Sequence, residues 1–400
     1  MLAIDFGARS IKAVKLSKTG SGYHLHNFGM VLTPPDSILH GEIKDVDAVS
    51  QALNKMLHKK RLYEKGCIIA ITGQKVIIRE ITTPLMNEKE LIEGIQWEAP
   101  KYVPYDLKES LLDAKKVEEL EEKEGTKMMK VLLVAAPRSL VEQQISVLKN
   151  VKIQPKVVDI IANAQIRAFE SYLTPASSSN EDGTMIDIIL SMGASTTEIT
   201  LLEGDRLKFT RTILKGGNDI TRLIEKKLNI PFSEAEGLKR HIGLALPEEK
   251  KISKANKANV DIEKDQKEEE VVKTVVQAEE SEEEQDSPKI EKKEDSSTAE
   301  DEIANLVHAG VLDIFNEIRK SLNYFKTQYQ KVSYQRIILC GGMTQLPNIG
   351  QMLKKQFGIT VVVANPLKSI SVNEQEVDIN HLDKYKSALV TAIGLAKRER

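Results

Sequence analysis

Two stretches of the chain combine an acid or a hydroxyl, a glycine and further small polar residues at a spacing that cradles phosphate. In "AIDFGARSIKAVKL", Asp5-x-Gly7 is followed by Ala8, Arg9, Ser10 and Lys12, between two apolar runs. A tight turn there aims backbone N–H groups at an anion, because Gly7 carries no side chain to block the approach. Asp5, at the strand end, is placed to hold a metal-bound water. The stretch "SMGASTT" (191–197) repeats the turn with Gly193, Ala194, Ser195 and Thr196, but Ser191 stands where the first copy has its acid. A hydroxyl binds water or phosphate and brings no negative charge to a divalent ion; by themselves these turns are either ordinary hairpin turns or a phosphate cradle, and in a cradle Ser191 points to slow or absent hydrolysis.

Three further stretches fit the same chemistry. "LKGGNDIT" places Gly216, Gly217 and Asn218 at the entry to a helix. "RIILCGGMTQLPNIGQML" is an apolar strand, then Gly341, Gly342 and Met343, then a loop and a helix. A strand ending in two glycines brings backbone against a flat ligand such as adenine. In "FNEIRKSLNYF", Glu317 and Lys320 share a helical face at i, i+3, either as ligand contacts or as a solvated ion pair. Asp159 in "VVDIIANAQIRAF" is a short carboxylate entering a helix, where an N-cap is the alternative role. The seven histidines are scattered without nearby cysteines or paired acids, which disfavours a metal centre. No Gly-x-Ser-x-Gly element suggests a hydrolase.

The elements that position these turns read as α/β. "MLAIDF", "IKAVKLS" and "YHLHNFGMVLT" are successive strands, and "DVDAVSQALNKMLHKK" carries the apolar stripe of an amphipathic helix. "TMIDIILSMG", "TEITLLEG" and "RLKFTRTI", followed by "DITRLIEKKLN", repeat that plan. The expected organisation is a first lobe (1–83), an inserted small module (84–157), a helix and crossover (158–182) and a second lobe (183–246 and 302–380). A C-terminal helix (381–400) then returns to the first lobe. Within the module, Leu91, Ile95, Ala99 and Tyr102 share a helical stripe, either one side of a seam facing the first lobe or the module's own core, while Pro100 should kink or end the helix. The lone Trp97 fits a core or a groove wall.

Residues 247–301 stand apart. With 19 acidic and 10 basic residues, this segment has too much charge and too little apolar surface to fold alone; "VVKTVVQA" (271–278) is its one apolar patch. The whole chain carries a formal charge of −2, which argues for no nucleic-acid partner. The rest of the body is then mildly basic. No run approaches the roughly 18 apolar residues of a membrane span, and the chain starts directly on a strand, so a cytoplasmic protein is expected that reaches a membrane only through partners. Cys67 and Cys340 lie in separate apolar runs, as buried free thiols do.

Taken in order, these motifs resemble the actin, heat-shock chaperone and sugar kinase superfamily. Within it, "IDFGARSIKAVKL", "ILHGEIKDVDAV", "ELIEGIQWEAPKYVPYDLKESLLD", "EIRKSLNYF", "ILCGGMTQLPNI" and "YKSALVTAIGLAKRE" resemble the PilM family of type IV pilus assembly. The resemblance covers nearly all the chain except the acidic segment. It implies an actin-like two-lobed fold of duplicated ribonuclease-H-like domains, with the module at 84–157 as the displaced subdomain shared with the cell-division protein FtsA. It implies ATP with Mg2+ between two lobes, Asp159 at the position that orients attacking water, and an adaptor at the inner face of the cytoplasmic membrane. The implied partner is the short cytoplasmic tail of a PilN-like membrane protein, seated near Leu91, Ile95 and Tyr102. Other pilus platform and motor proteins, and self-association, are further implied contacts. An FtsA-like cytoskeletal protein is the alternative; a sugar kinase or ATPase is disfavoured by Ser191.

Overall fold

The computed structural model describes residues 1–20, 22–123, 125–173, 184–244, 295–329 and 331–398. Strands β1 (Leu2–Phe6), β2 (Ser10–Thr19) and β3 (Gly22–Leu32) run antiparallel in sequence. A short hairpin, β4 (Ile38–Leu39) and β5 (Glu42–Ile43), leads to α1 (Val46–Lys59). Asp45 caps α1 by accepting from the Ala48 N–H at 2.9 Å, which satisfies one of the free amides of the first turn. Val49, Leu53, Met56 and Leu57 form its buried stripe, as the periodicity predicts.

β6 (Gly66–Ile71) follows, then β7 (Ile77–Pro84), α2 (Glu88–Glu98), β8 (Ser110–Lys123), β9 (Thr126–Pro137), α3 (Arg138–Asn150), β10 (Gln154–Ile160) and α4 (Ile161–Ala168). The second series is β11 (Thr184–Met192), β12 (Thr197–Glu203), β13 (Arg206–Ile213), α5 (Gly217–Leu228) and α6 (Phe232–Ile242). After it come α7 (Asp295–Gln328), β14 (Val332–Cys340), α8 (Ile349–Phe357), β15 (Thr360–Val363), β16 (Ile370–Val372), α9 (Ile379–Tyr385) and α10 (Val390–Ala396).

The expected duplication is visible in the strand orders. One sheet runs β10-β6-β1-β2-β3-β16 and the other β15-β14-β11-β12-β13. In each, three antiparallel strands are extended by two parallel ones beside the first. A separate three-stranded sheet, β7-β9-β8, belongs to the inserted module.

Several boundaries differ from those expected. The module's sheet already begins at Ile77. After it, α3 leaves the module: Val147 and Leu148 pack with Leu2, Ile4 and Leu53 of the first lobe. β16 pairs with β3 and so joins the first sheet. α10 packs Ala392, Ile393 and Leu395 on Ala3, Val14 and Leu16, as a returning C-terminal helix should. α7 starts at Asp295, inside the segment expected to stay unfolded; residues 245–294, with the 271–278 patch, lie outside the described residues.

The chain divides into two compact units. The first, Met1–Asp219 with Leu312–Gln345 and Ile349–Arg400, carries all three of these sheets. The second, Ile220–Val311 with Leu346–Asn348, is helical among its described residues. Its interior holds a buried ion pair, Glu236 to Lys239 at 2.6 Å, with the Thr221 hydroxyl donating to the same carboxylate at 2.6 Å. Burial by itself would raise the Glu236 pKa; Lys239, Thr221 and Arg240 outweigh it and bring it to about 2.

Candidate functional site

The first turn joins β1 to β2. Asp5 and Lys12 face each other in register, and the Lys12 ammonium donates to Asp5 Oδ2 at 2.9 Å and to the Ser10 carbonyl at 3.2 Å. A Cβ on Gly7 would lie 2.8 Å from the Ser10 carbonyl oxygen and 2.9 Å from Lys12 Nζ. Only glycine fits this turn without displacing its neighbours. Thr33 braces it by donating to the Gly7 carbonyl at 2.6 Å.

The second turn joins β11 to β12 with the same geometry. A Cβ on Gly193 would lie 2.9 Å from the Thr196 carbonyl oxygen, and the Gly193 N–H donates to that oxygen at 2.9 Å. Here the register partners are Ser191 and Glu198, so the acid sits on the return strand. Ser191 hydrogen-bonds the thiol of Cys340, its parallel partner on β14. Glu198 is 8% exposed and accepts a hydrogen bond from the Thr72 hydroxyl. Burial pushes its carboxyl up to about 7, against the Thr72 hydrogen bond and with the aid of the nearby negative Asp5. Burial also pushes the Cys340 thiol up to about 12. Cys67 and Cys340 are both buried and free.

The remaining glycines close around these turns. The Gly217 N–H donates to the Gly193 carbonyl at 3.0 Å, the Asn218 N–H to the Ala194 carbonyl at 2.7 Å, and the Gly216 N–H to Asp219 at 2.8 Å. The start of α5 was expected to offer these amides to a ligand; instead those of Gly217 and Asn218 hold the second turn in place, and that of Gly216 is taken by Asp219. Gly341 has φ +92°, and a Cβ there would run into the Met192 backbone. A Cβ on Gly342 would meet nothing within 4 Å, which leaves that face open to a ligand, while Met343 is buried beneath. Lys320 bridges to Glu317 at 2.7 Å and is largely exposed. Lys215, beside Gly216, acts on the Glu317 carboxylate, so this stretch of α7 borders the turn. From the first lobe, His40 approaches Ser195: its N–H donates to the hydroxyl at 3.3 Å and its Nδ1 lies 3.0 Å from the carbonyl.

Three sequence expectations need correction. Asp159 is engaged by both Arg167 and Arg398, and its other oxygen accepts from the Ile160 N–H at 2.8 Å. Burial would raise its pKa, but the two guanidinium groups hold it below the usual range; it is an ion-pair anchor rather than a water-orienting base. Leu91 and Ile95 are each 3% exposed and pack with Met129, Val131 and Leu133 in the module's own core, so they line no groove. The stripe is amphipathic because α2 must cover its sheet; of the three partner residues only Tyr102 is exposed. Trp97, expected in a core or groove wall, is 83% exposed. Pro100 does end α2, inside a 3-10 turn. Glu198, Thr72 and His40 were not singled out. The one available signal was an acid in an otherwise apolar strand, "TEITLL", where burial is costly unless the acid has a task.

Two repeated β-hairpin turns, each built on a glycine, at the heads of two sheets of equivalent order define an actin-like two-lobed α/β fold. Residues 3–254 match the profile of the family described as type IV pilus assembly protein PilM, and the chain belongs to that family. Residues 188–394 also match the profile of the cell division protein FtsA. The solved PilM-PilN type IV pilus biogenesis complex has a chain that superposes with a TM-score of 0.75 at 22% identity, covering 99% of this chain and 97% of its own, which shows the shared fold. The FtsA proteins of Enterococcus hirae and Enterococcus faecalis are each 24% identical, over 52% and 50% of this chain. The chain spans only 40% and 41% of those relatives' own length. Among the described residues, no helix is long and apolar enough to cross a membrane.

Proposed function

We propose that the protein is an ATP-binding adaptor of the type IV pilus assembly platform, at the inner face of the cytoplasmic membrane, that docks the cytoplasmic tail of a PilN-like membrane protein. The observation that carries the nucleotide reading is the pair of matched turns at Gly7 and Gly193, at the heads of two sheets of equivalent order, each so tight that a Cβ would press on the turn's own carbonyl oxygen. Phosphates sit against Gly7 to Ser10 and Gly193 to Thr196, with Lys12 neutralising charge. The base lies at Gly341 and Gly342, bordered by Glu317 and Lys320. Asp5, on the first turn, is the acid that would hold magnesium, through water. Magnesium, when bound, screens the charge of the phosphates there.

Turnover is slow in this reading. Asp159 is tied to two arginines and so is no ready base, and Ser191 brings no charge to a divalent ion at the second turn. Family membership and the solved complex support the PilN-like partner; Tyr102 remains a contact, with Leu91 and Ile95 supporting it from the core. Other platform and motor proteins, and a second copy, are further contacts of such an adaptor.

Calorimetry with ATP, and then with a synthetic tail peptide, tests the two halves of the reading separately. Micromolar binding of both is expected; absence of ATP binding removes the nucleotide role, and absence of tail binding removes the adaptor role. The FtsA match over 188–394 favours a second reading, a cell-division cytoskeletal protein. Capture from membranes distinguishes them, with pilus inner-membrane proteins expected and division proteins favouring the alternative.

A further inference from the structure

The short hairpin between β3 and α1 reaches from the first lobe to the second turn. Its base is fixed: Ile38 and Ile43 pair across it and are buried with Leu2, Ile4 and Leu53, and the Ile43 N–H donates to the Gln143 side chain at 3.1 Å. Its tip is His40 and Gly41, both left-handed, at φ +51° and +90°. A two-residue turn of this kind favours Asn or Asp before Gly, so the turn itself has no need of an imidazole. Among the described residues the His40 side chain makes a single hydrogen bond, and it goes to Ser195.

The carbonyls of the second turn show what that bond does. Those of Gly193 and Ala194 accept from the Gly217 and Asn218 amides, and that of Thr196 from the Gly193 amide, all within the second lobe. The Ser195 carbonyl is met from the first lobe instead, by His40 Nδ1 at 3.0 Å. A carbonyl oxygen only accepts, so Nδ1 carries the proton. The His40 N–H also donates to the Ser195 hydroxyl at 3.3 Å. With that lone pair taken, the hydroxyl's own proton points away from His40, where a phosphate oxygen can accept it.

The tip is braced from behind. A Cβ on Gly41 would lie 2.6 Å from the Thr72 carbonyl oxygen, and one on Gly73, at φ +130°, 3.2 Å from the His40 carbonyl oxygen. The tip and residues 72–73 therefore pack backbone to backbone, and Thr72 in turn donates to Glu198 on the return strand. One block of the first lobe thus grips the second hairpin at its turn and at its stem. A non-glycine residue held left-handed by its surroundings is a feature of ligand clamps.

We propose that the tip of the β4–β5 hairpin is a clasp on the second phosphate turn, with His40 as its positioning residue, and that opening of the clasp sets the rate at which nucleotide leaves. The inference rests on the nucleotide reading above and adds a residue that acts through Ser195 rather than on the ligand. Nucleotide held between the two turns leaves when they separate, and His40 must let go of Ser195 before they do.

The test uses the full chain and N-methylanthraniloyl-ATP in stopped flow. His40 is exposed, and His40→Gly removes its side chain while keeping a backbone that glycine adopts without strain. Release, chased with excess ATP, should become about tenfold faster, as for the loss of one or two hydrogen bonds, with association within about twofold of wild type. His40→Asn places an amide N–H where Nδ1–H stood, tolerates the same backbone and should recover most of the wild-type lifetime. A second readout needs no nucleotide: amide exchange at residues 193–196 should speed up in His40→Gly and not in His40→Asn. An unchanged melting temperature confirms that each variant is folded. Unaltered release by His40→Gly would overturn the proposal, as would equally fast release by both variants, or a loss carried by slower association, which makes His40 a contact of the nucleotide itself. Absence of labelled-ATP binding by wild type would remove the nucleotide reading and the role in release with it; the clasp on the turn would then stand or fall by the exchange rates.

Discussion

The β1–β2 and β11–β12 hairpins share one backbone and differ in where they keep their charge. In both, the glycine lies two residues after a strand-end polar residue, and a Cβ on it would press on the carbonyl oxygen three residues later, at 2.8 and 2.9 Å. In both, the first polar residue faces its seventh successor across the hairpin: Asp5 faces Lys12, and Ser191 faces Glu198. The first hairpin pairs its acid locally with a cation. The second has moved its acid across to the return strand, where the Thr72 hydroxyl donates to it and the negative Asp5 lies nearby. Ser191 therefore does not delete the second carboxylate from the site. A duplicated turn conserves what the backbone needs, a glycine, while the electrostatics of each copy follow from what packs on it.

The largest expected effect separates the two acids by pH. Burial holds the proton on folded Glu198 up to about 7, against 4.5 for an ordinary glutamate. Its stabilising contribution is thus complete below 4.5 and is lost as pH rises through 7. Glu198→Gln should remove that slope and, at pH 8, exceed wild type by about 3 kcal/mol in chemical denaturation. A variant that follows the wild-type curve would place Glu198 in solvent and break the contrast. The next effect tests the shared backbone. Gly7→Val and Gly193→Val should each weaken ATP binding about 100-fold or more, while circular dichroism stays native; loss in only one variant would mean that the turns are not equivalent.

A smaller effect compares the partners of the two leading residues. Lys12→Met leaves Asp5, whose side chain is 13% exposed, without its cation and should cost about 2 kcal/mol. Ser191→Ala removes a single hydroxyl and should cost about 1 kcal/mol at most. Reversal of that order in urea melts would contradict the charge assignment. Ser191→Asp sharpens the point: with acids on both strands, magnesium dependence of ATP binding should steepen, while wild-type turnover stays well below about 1 s⁻¹. Smallest of all is the exposed Lys320–Glu317 pair. Lys320→Ala should change stability by less than about 0.5 kcal/mol, so a clear loss of ATP affinity in it would mark a ligand contact rather than a surface bridge.

By itself the sequence determined the parts that depend on neighbours along the chain. Apolar alternation set the strands, the 45–57 stripe and cap set α1, and the glycines fixed the turns, because backbone conformation and local hydrogen bonds decide them. The duplicated order of strands and turns was enough to indicate the actin-like fold. Tertiary structure decided the rest. Asp159 became an anchor because Arg398, 239 residues later, folds back onto it. The amides of Gly217 and Asn218 turned inward because the second turn presents its carbonyls to them. Glu198 became the buried acid because Asp5, in the other sheet's first hairpin, and Thr72, just after β6 of that sheet, meet it across the site. Leu91 and Ile95 went to the core because β9 lies under their helix. A carboxylate's role is set by which charges and how much water surround it, and those neighbours come from distant parts of the chain.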